Sequence, residues 1–475
     1  MSDPVVAIAT TPPDKSRAWA AVLGWGCFAV AAAALAVTAV LGSSAAQAPL
    51  GRHDNGSTPP LHVHANPPAW LVTTLLAVAV VAGATVVSLV LAARWRPDAR
   101  RLCAGGITVA AALTLLPPIA SADPLSYAAY GRLAVTGHDP WTTRPSAVSD
   151  PVTDAVEPPW RDEPAVYGPL AVGEQAVAST IAGDDVPLTV WLLDIAGFVA
   201  FAGAGLLLLR RATDATGRLR RAALWAANPL LWLQLVAGAH VDVLVAAGAA
   251  AAVAIGARRP TAGGAIAGVA GVLKPTGGLV WLALAWVARR DPRRLVLLVV
   301  AAVVVVVPSY VLAGSGALHE LSRASRRVSL ATPWRPLVTW THLDRAAVGP
   351  LAIVLALALV VLILRGWRTD DVAAVSAGLS LAYVLAAPYA LPWYDGLPWV
   401  LLAMTAASWR DWVLLAHTTV LSLAYLPGRD AVRLESALHT ITHAIRSDLA
   451  PAVLLSLLLA VVAGGFRKVG GGGGI

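Results

Sequence analysis

Charge is what this sequence has least of. Asp, Glu, Lys and Arg make up 13% of its 475 residues, against about 25% in a soluble domain. That is too little to coat a water-facing surface. Lysine is scarcer still: Lys15, Lys274 and Lys468 stand alone among many arginines. The two cysteines, Cys27 and Cys103, both fall inside apolar stretches, which argues against a disulfide framework. There is no Gly-rich phosphate loop and no dinucleotide fingerprint. The arginine-bearing loops are too short for a nucleotide-binding domain, which argues against an ATP-driven pump.

What fills the chain instead is apolar: 57% of residues are hydrophobic, in unbroken blocks such as Leu71–Ala93 and Leu295–Leu312. Blocks of about 18 or more read as membrane-spanning helices, and continuous rather than alternating patterning excludes a barrel. The expected fold is all-α, a polytopic helical bundle of about 12–14 membrane segments. Spans are placed at 19–42, 69–93, 102–120, 187–209, 222–238, 241–257, 261–273, 276–288, 295–313, 347–364, 372–389, 397–408, 412–426 and 448–465. The pair 261–273 and 276–288 is short enough to form a re-entrant hairpin. The first span is long and without a clear cleavage site, so it reads as an anchor rather than a signal peptide.

The net charge of +8 belongs to this pattern and not to nucleic-acid binding. Arg94 to Arg101, Arg210 to Arg221, Arg258 with Arg259, Arg289 to Arg294, Arg365 with Arg368, Arg410, and Arg467 with Lys468 all fall on one side of the map. By the positive-inside rule that side is cytoplasmic, and both termini with it. The expected organisation is a cytoplasmic tail 1–18, one multi-pass domain 19–466 in the plasma membrane, and a Gly-rich cytoplasmic tail 467–475. Four longer loops, 43–68, 121–186, 314–346 and 427–447, then lie outside; 121–186 is the longest and most acidic, and long ordered loops are usually functional.

Several outer motifs carry candidate chemistry. Asp123-Pro124 follows a span directly; the pair reads as a helix start, with Asp123 as N-cap and Pro124 in the first turn. Leu125, Ala128, Ala129 and Leu133 would give that helix one apolar face, suited to lying on the membrane. His138 and Asp139 sit in a Gly-Pro-Trp turn, and Tyr167 precedes Gly168-Pro169. In the tight turn Gly238–Asp242, His240 can exchange a proton near neutral pH, and Asp242 is an ionisable group at membrane depth.

Lys274 is the most informative position. It lies midway between Arg259 and Arg289, deep in apolar sequence, where a cation needs an anionic partner. A phosphate and Asp242 are the candidates. Arg323, Arg326 and Arg327 stand at i, i+3, i+4 spacing, which on a helix shares one face, in an outer loop where arginine is unexpected. Phosphate recognition or lipid headgroup contact accounts for them. Trp393 and Tyr394, after Pro392, form an aromatic break suited to stacking on a sugar or resting at the interface. His62 and His64 lack a third ligand, and no metal site is assigned.

In this order and loop placement, Asp123-Pro124 with Ser126-Tyr127 and Gly131, Gly137 to Pro140, Tyr167 to Leu170, Asn228-Pro229-Leu230, Gly238 to Asp242, Lys274 and Pro392 to Tyr394 resemble the GT-C membrane glycosyltransferases. The similarity is greatest to the actinobacterial polyprenol-phosphomannose-dependent α-1,6-mannosyltransferases and runs over roughly residues 102–400. Val241 stands where that family usually has Asn, and Ala122 precedes Asp123 where it often has Arg. The resemblance implies inverting transfer of a sugar, most simply mannose, from a polyprenyl phosphate donor to a glycan or glycolipid of the cell envelope. Asp123 would be the general base by position, with Tyr127, His138, Asp139, Tyr167, His240, Asp242, Lys274, Arg323, Arg326, Arg327, Trp393 and Tyr394 binding substrate. No cofactor is expected if Lys and Arg stabilise the leaving phosphate. Asp139, Glu163 and Glu174 remain alternative bases. A transporter or lipid-carrier flippase is the rival reading, drawn from the same spans and buried charges, and a catalytically inactive scaffold is a third.

Overall fold

The computed structural model describes residues 15–51 and 59–470. The expected tail 1–18 therefore lies mostly outside the described residues, as do residues 471–475 of the Gly-rich tail. Among the described residues the chain is helical, with no strand.

The first helices are α1 (Lys15–Val40), α2 (Ala69–Leu91), α3 (Ala99–Leu113), α4 (Asp123–Val135), α5 (Pro151–Asp154), α6 (Pro169–Ala182) and α7 (Val186–Arg211). Next come α8 (Ala215–Leu224), α9 (Pro229–Leu231), α10 (Asp242–Gly256), α11 (Pro260–Leu273), α12 (Gly278–Ala288) and α13 (Pro292–Ala313). The rest are α14 (Ser315–Ala324), α15 (Trp334–Thr341), α16 (Arg345–Leu364), α17 (Val372–Ala386), α18 (Gly396–Leu402), α19 (Trp409–Ala424), α20 (Ser436–Ala444) and α21 (Ala450–Gly470). Aspartates set many of the starts. Asp98, Asp185, Asp214, Asp291, Asp344 and Asp371 each accept a backbone N–H of the first turn, satisfying donors that a helix leaves open.

Among the described residues, six helical segments are long and apolar enough to cross a membrane: Ala18–Val40, Ala69–Leu91, Val186–Arg211, Pro292–Ala313, Arg345–Leu364 and Ser436–Gly464. Shorter apolar helices run Asp242–Gly256, Pro260–Leu273, Pro275–Ala288 and Val372–Ala386. On α13, Val296, Val300, Val303, Val304, Val307, Val311 and Leu312 are exposed, and on α16 Leu351, Ile353, Val354, Leu357 and Val361. Water does not tolerate apolar stripes of that extent, whereas hydrocarbon does. The protein is a polytopic helical membrane protein.

Three expected spans are not continuous helices. In 102–120 the helix stops at Leu113, before Pro117-Pro118. Span 222–238 is broken at Asn228-Pro229, because proline cannot donate to the ladder; a π-helical stretch Trp232–Ala237 follows. Span 397–408 holds only the seven residues of α18.

The hairpin expected at 261–288 is present. α11 and α12 fold back on each other around a 3-10 turn at Pro275–Gly277. A Cβ on Gly277 would lie 2.3 Å from the Ala270 carbonyl oxygen, so only glycine permits this fold-back. The 14 residues of α11 rise about 21 Å, less than the ~30 Å bilayer core. α11 alone is therefore too short to cross it.

The main core joins α1–α3, α7–α10, α17–α19 and parts of α11 and α12, around the fully buried Trp225, Trp232 and Trp399. Each indole N–H finds an acceptor: Phe201 O at 2.9 Å, Ala226 O at 2.7 Å and the Thr418 hydroxyl at 2.8 Å. A second cluster, with Tyr127, Tyr130, Leu133, Trp141, Tyr167, Val241 and Leu273, underlies the candidate site.

Candidate active site

α4 does not lie on a membrane surface. Residues Asp123 to Gly131 and Leu133 are all buried, because α5, α6 and α7 cover every side of the helix. Leu125 and Ala128 enter one apolar cluster and Leu133 another. The expected single apolar face was a misreading: Ala, Ser, Tyr and Gly all tolerate burial, and only packing decides which faces are covered.

The expected N-cap role of Asp123 is also corrected. Its carboxylate caps nothing; the Asp123 N–H is bonded instead to the Ser121 hydroxyl at 3.0 Å. That substitution frees the carboxylate, which accepts from Tyr127 Oη at 3.4 Å. The residue is 7% exposed. Asp123 stands beyond α3, outside the spanning helices, and burial pushes its carboxyl up to about 7 against the pull of Lys274.

The turn Gly238–Asp242 places His240 behind this carboxylate. Nδ1 of His240 lies 2.5 Å from the Gln234 carbonyl oxygen, which can only accept, so Nδ1 carries the hydrogen. Burial drives the His240 ring pKa down to about 3, so the ring is neutral. Nε2 is then an acceptor, 3.1 Å from the Ser121 hydroxyl and 3.8 Å from Asp123 Oδ2. Trp393 stacks on the ring at 3.8 Å between centroids and 14° between planes. Ser121 thus receives from the Asp123 amide and donates to His240.

Lys274 meets Asp242 at 2.7 Å, the partnership anticipated from its depth, and its ammonium lies 3.7 Å from the centre of the Tyr394 ring. Tyr167 reaches the same place through Gly168, whose N–H bonds the Leu273 carbonyl at 3.2 Å. A Cβ there would lie 1.8 Å from the Val272 carbonyl oxygen, so the motif needs its glycine to seat on the hairpin tip. Tyr167 donates to Tyr127 Oη at 3.3 Å, and its own carbonyl receives Trp141 Nε1 at 2.9 Å.

Asp123, Tyr167, Lys274, Trp393 and Tyr394 face one cavity of about 660 Å³, with Tyr127, His240 and Asp242 packed directly behind them. Its polar wall holds Asp123, Tyr167, Lys274, Arg327, Trp393 and Tyr394; Gly349, Ala352, Ile353 and Ala356 of α16 form an apolar wall. Asp123, Tyr127, Tyr167, His240, Asp242, Lys274, Trp393 and Tyr394 are therefore brought together. His138 and Asp139 are not: His138 pairs with the Thr136 hydroxyl at 3.1 Å, and Asp139 accepts the Trp141 N–H at 2.9 Å.

The three arginines part company, because α14 ends at Ala324 and Arg326 and Arg327 follow in a turn. They do not share a helical face. Arg323 and Arg327 both pair with Glu163, Arg327 at 3.1 Å, and Arg327 also lies 4.8 Å from the Trp160 ring. Arg326 is exposed and does not line the cavity.

Ser121, Gln234, Trp160, Tyr383 and Tyr389 also form or line the site without having been singled out as site residues. A lone amide in the apolar run around Gln234 was the available signal. No group of three or more His, Cys, Asp or Glu that could hold a metal ion occurs among the described residues.

A family model described as "Alpha-(1->6)-mannopyranosyltransferase, N-terminal domain" matches residues 22–290. Among similar proteins, alpha-(1->6)-mannopyranosyltransferase A of Mycobacterium tuberculosis is 29% identical over 335 residues, 63% of this chain and 64% of that protein. Alpha-(1->6)-mannopyranosyltransferase A of Corynebacterium glutamicum is 28% identical over 178 residues, 37% of this chain and 36% of that protein. A probable alpha-(1->6)-mannopyranosyltransferase of Mycolicibacterium smegmatis is 34% identical over 145 residues, 28% of this chain and 24% of that protein. The chain thus spans less than two thirds of the length of these relatives. No solved structure matches. With more than half of its residues under that model, the chain belongs to the alpha-(1->6)-mannopyranosyltransferase family.

Proposed function

We propose that this protein transfers mannose from a polyprenyl phosphate carrier to a glycan or glycolipid of the cell envelope, on the outer face of the membrane, with Asp123 as general base. The observation that carries the reading is the cavity itself. It joins a buried carboxylate, two cations, aromatic rings and an apolar wall on α16. A sugar joined through phosphate to a polyprenyl chain asks for that combination: rings for the sugar, cations for the phosphate, an apolar wall for the lipid.

In the proposed step the acceptor hydroxyl attacks the anomeric carbon. Its proton passes to an Asp123 carboxylate oxygen as the new C–O bond forms. The bond from the anomeric carbon to the phosphate oxygen breaks, and its electron pair leaves with the polyprenyl phosphate. Lys274 and Arg327 stabilise the charge that develops there. A single displacement inverts the anomeric centre. Asp123 serves rather than the other carboxylates because Glu163 is held by two arginines, Asp139 is spent on its turn, and Glu174 does not line the cavity. The positive-inside pattern supports cytoplasmic termini and an outer site.

The test is transfer of radiolabelled mannose from polyprenyl phosphomannose in membranes, comparing wild type with Asp123→Asn at equal expression. Transfer by wild type alone is expected. Equal transfer by both removes Asp123 as base, and no transfer by wild type removes the proposed donor.

A further inference from the structure

The aromatic turn after Pro392 supplies two rings to the site, Trp393 on His240 and Tyr394 beneath Lys274. Its last residue, Asp395, points the other way. It is fully buried, and His417 Nδ1 donates to its carboxylate at 2.8 Å to one oxygen and 3.1 Å to the other. The Thr418 hydroxyl donates to it at 2.6 Å and accepts Trp399 Nε1 at 2.8 Å. His417 and Thr418 belong to α19, and Trp399 to α18. The short 3-10 turn Pro392–Asp395 is thus tied by one carboxylate to α19, whose Thr418 also holds Trp399 of α18. Two side-chain donors to one carboxylate in a buried, low-dielectric setting make a directional anchor, since a lost partner leaves a buried polar group unpaired.

We propose that Asp395, with His417 and Thr418, is a positioning device for the reaction: it sets Trp393 against His240 and Tyr394 beneath Lys274. The two rings stand one and two residues before the anchor on a single tight turn. A shift of that turn moves the Trp393 ring, stacked 3.8 Å from His240, and the Tyr394 ring, 3.7 Å from the Lys274 ammonium. Asp395 does not line the cavity, so it acts through the rings and not on substrate. This inference rests on the proposed transferase reading for its kinetic consequence, though not for its structural one.

The experiment compares full-length Asp395→Asn and Thr418→Val with wild type in nanodiscs, by two readouts. The first is amide hydrogen exchange over residues 391–397. Both variants are expected to raise exchange there and leave α4 unchanged; exchange unchanged in both overturns the anchor, whatever the kinetics show. The second is a double-mutant cycle on mannosyl transfer. Asp395→Asn is expected to lower kcat by about tenfold to a hundredfold, as misplaced groups do, with a smaller change in KM. Combined with Trp393→Ala and Tyr394→Ala, it should add little to their loss, because it acts through those rings. Fully additive losses overturn the positioning role. If wild type transfers nothing, the transferase reading fails by itself and the exchange data still decide the anchor. Thr418→Val covers the case in which Asp395→Asn does not fold, because it removes one donor and leaves the His417 pair in place.

Discussion

Two buried ion pairs stand in different parts of this molecule, and only one faces a cavity. Arg220 of α8 meets Asp411 of α19 through two nitrogens, at 2.6 and 3.3 Å, and its third nitrogen bonds the carbonyls of Leu402 and Thr405 at 3.0 and 2.8 Å. Asp411 also accepts the Ser408 N–H at 3.0 Å. That pair is saturated: every strong direction is used inside the protein, and it joins α8 to the turn that ends α18. Lys274 has one carboxylate and one ring face, and it opens onto a cavity that also holds Asp123 and Arg327. The difference lies in remaining capacity. A cation whose donors are spent holds a fold together, whereas one with donors to spare, beside a cavity, can bind an anion.

That contrast can be broken by substitution. The largest effect is expected from Lys274→Met, which should lower mannosyl transfer by about a hundredfold to a thousandfold, the loss seen when one transition-state charge stabiliser is removed. Folded yield should fall as well, because buried Asp242 loses its cation, so the rate loss is read per folded molecule. Initial rates set against the amount of folded protein in membranes measure both. Arg220→Ala should cost stability alone. It strands Asp411 in a buried site, a destabilisation of about 3–5 kcal/mol, while each molecule that does fold keeps its transfer rate. Thermal inactivation in nanodiscs reads the first and specific activity the second. If Arg220→Ala abolished turnover per folded molecule, the division between structural and functional pairs would be wrong.

A smaller effect should appear with pH. Asp123 must be a carboxylate to accept a proton, and burial raises its pKa to about 7. The rate at low substrate should therefore fall as pH drops through about 7 and level off above it. A profile flat from pH 5 to 8 at constant folded protein would exclude Asp123 as the titrating base. The smallest effects separate the arginines. Arg327→Ala, which removes a cation from the cavity wall, should cost about tenfold in transfer, less than the loss of a full stabiliser, because Glu163 already shares its charge. Arg326→Ala should leave the rate unchanged. Equal losses would point to a general electrostatic field in place of a specific contact.

Much of this was legible from the chain alone, and the reasons are physical. Apolar runs too long for any soluble core identified the spanning helices, because the bilayer fixes their length. Lys274 stood out because a cation between two apolar halves needs a partner, and Asp242 is that partner. The motifs around Asp123, Tyr167, His240 and Trp393 were found by order, and they do meet around one cavity. The sequence is ambiguous where one residue admits two local uses. Asp before Pro is an ordinary helix start, and here Ser121 takes that task and leaves the carboxylate to the site. The spacing of Arg323, Arg326 and Arg327 presumed a helix that ends at Ala324. A stretch of small residues such as Ala128 and Ala129 carries no record of which sides are covered.

Composition and hydropathy, then, determined by themselves that this protein lives in a membrane as helices, and that charge at depth must be paired there. Both follow from the solvent, and a linear pattern records solvent preference well. Only the tertiary structure decided which charges were left with unused capacity. Whether a lysine is spent or available, whether an aspartate faces a cavity, depends on neighbours a hundred residues and more away, as His240 is for Asp123 and Glu163 is for Arg327. Hydrogen bonds and ion pairs act over a few ångströms in space, and no spacing along the chain encodes that.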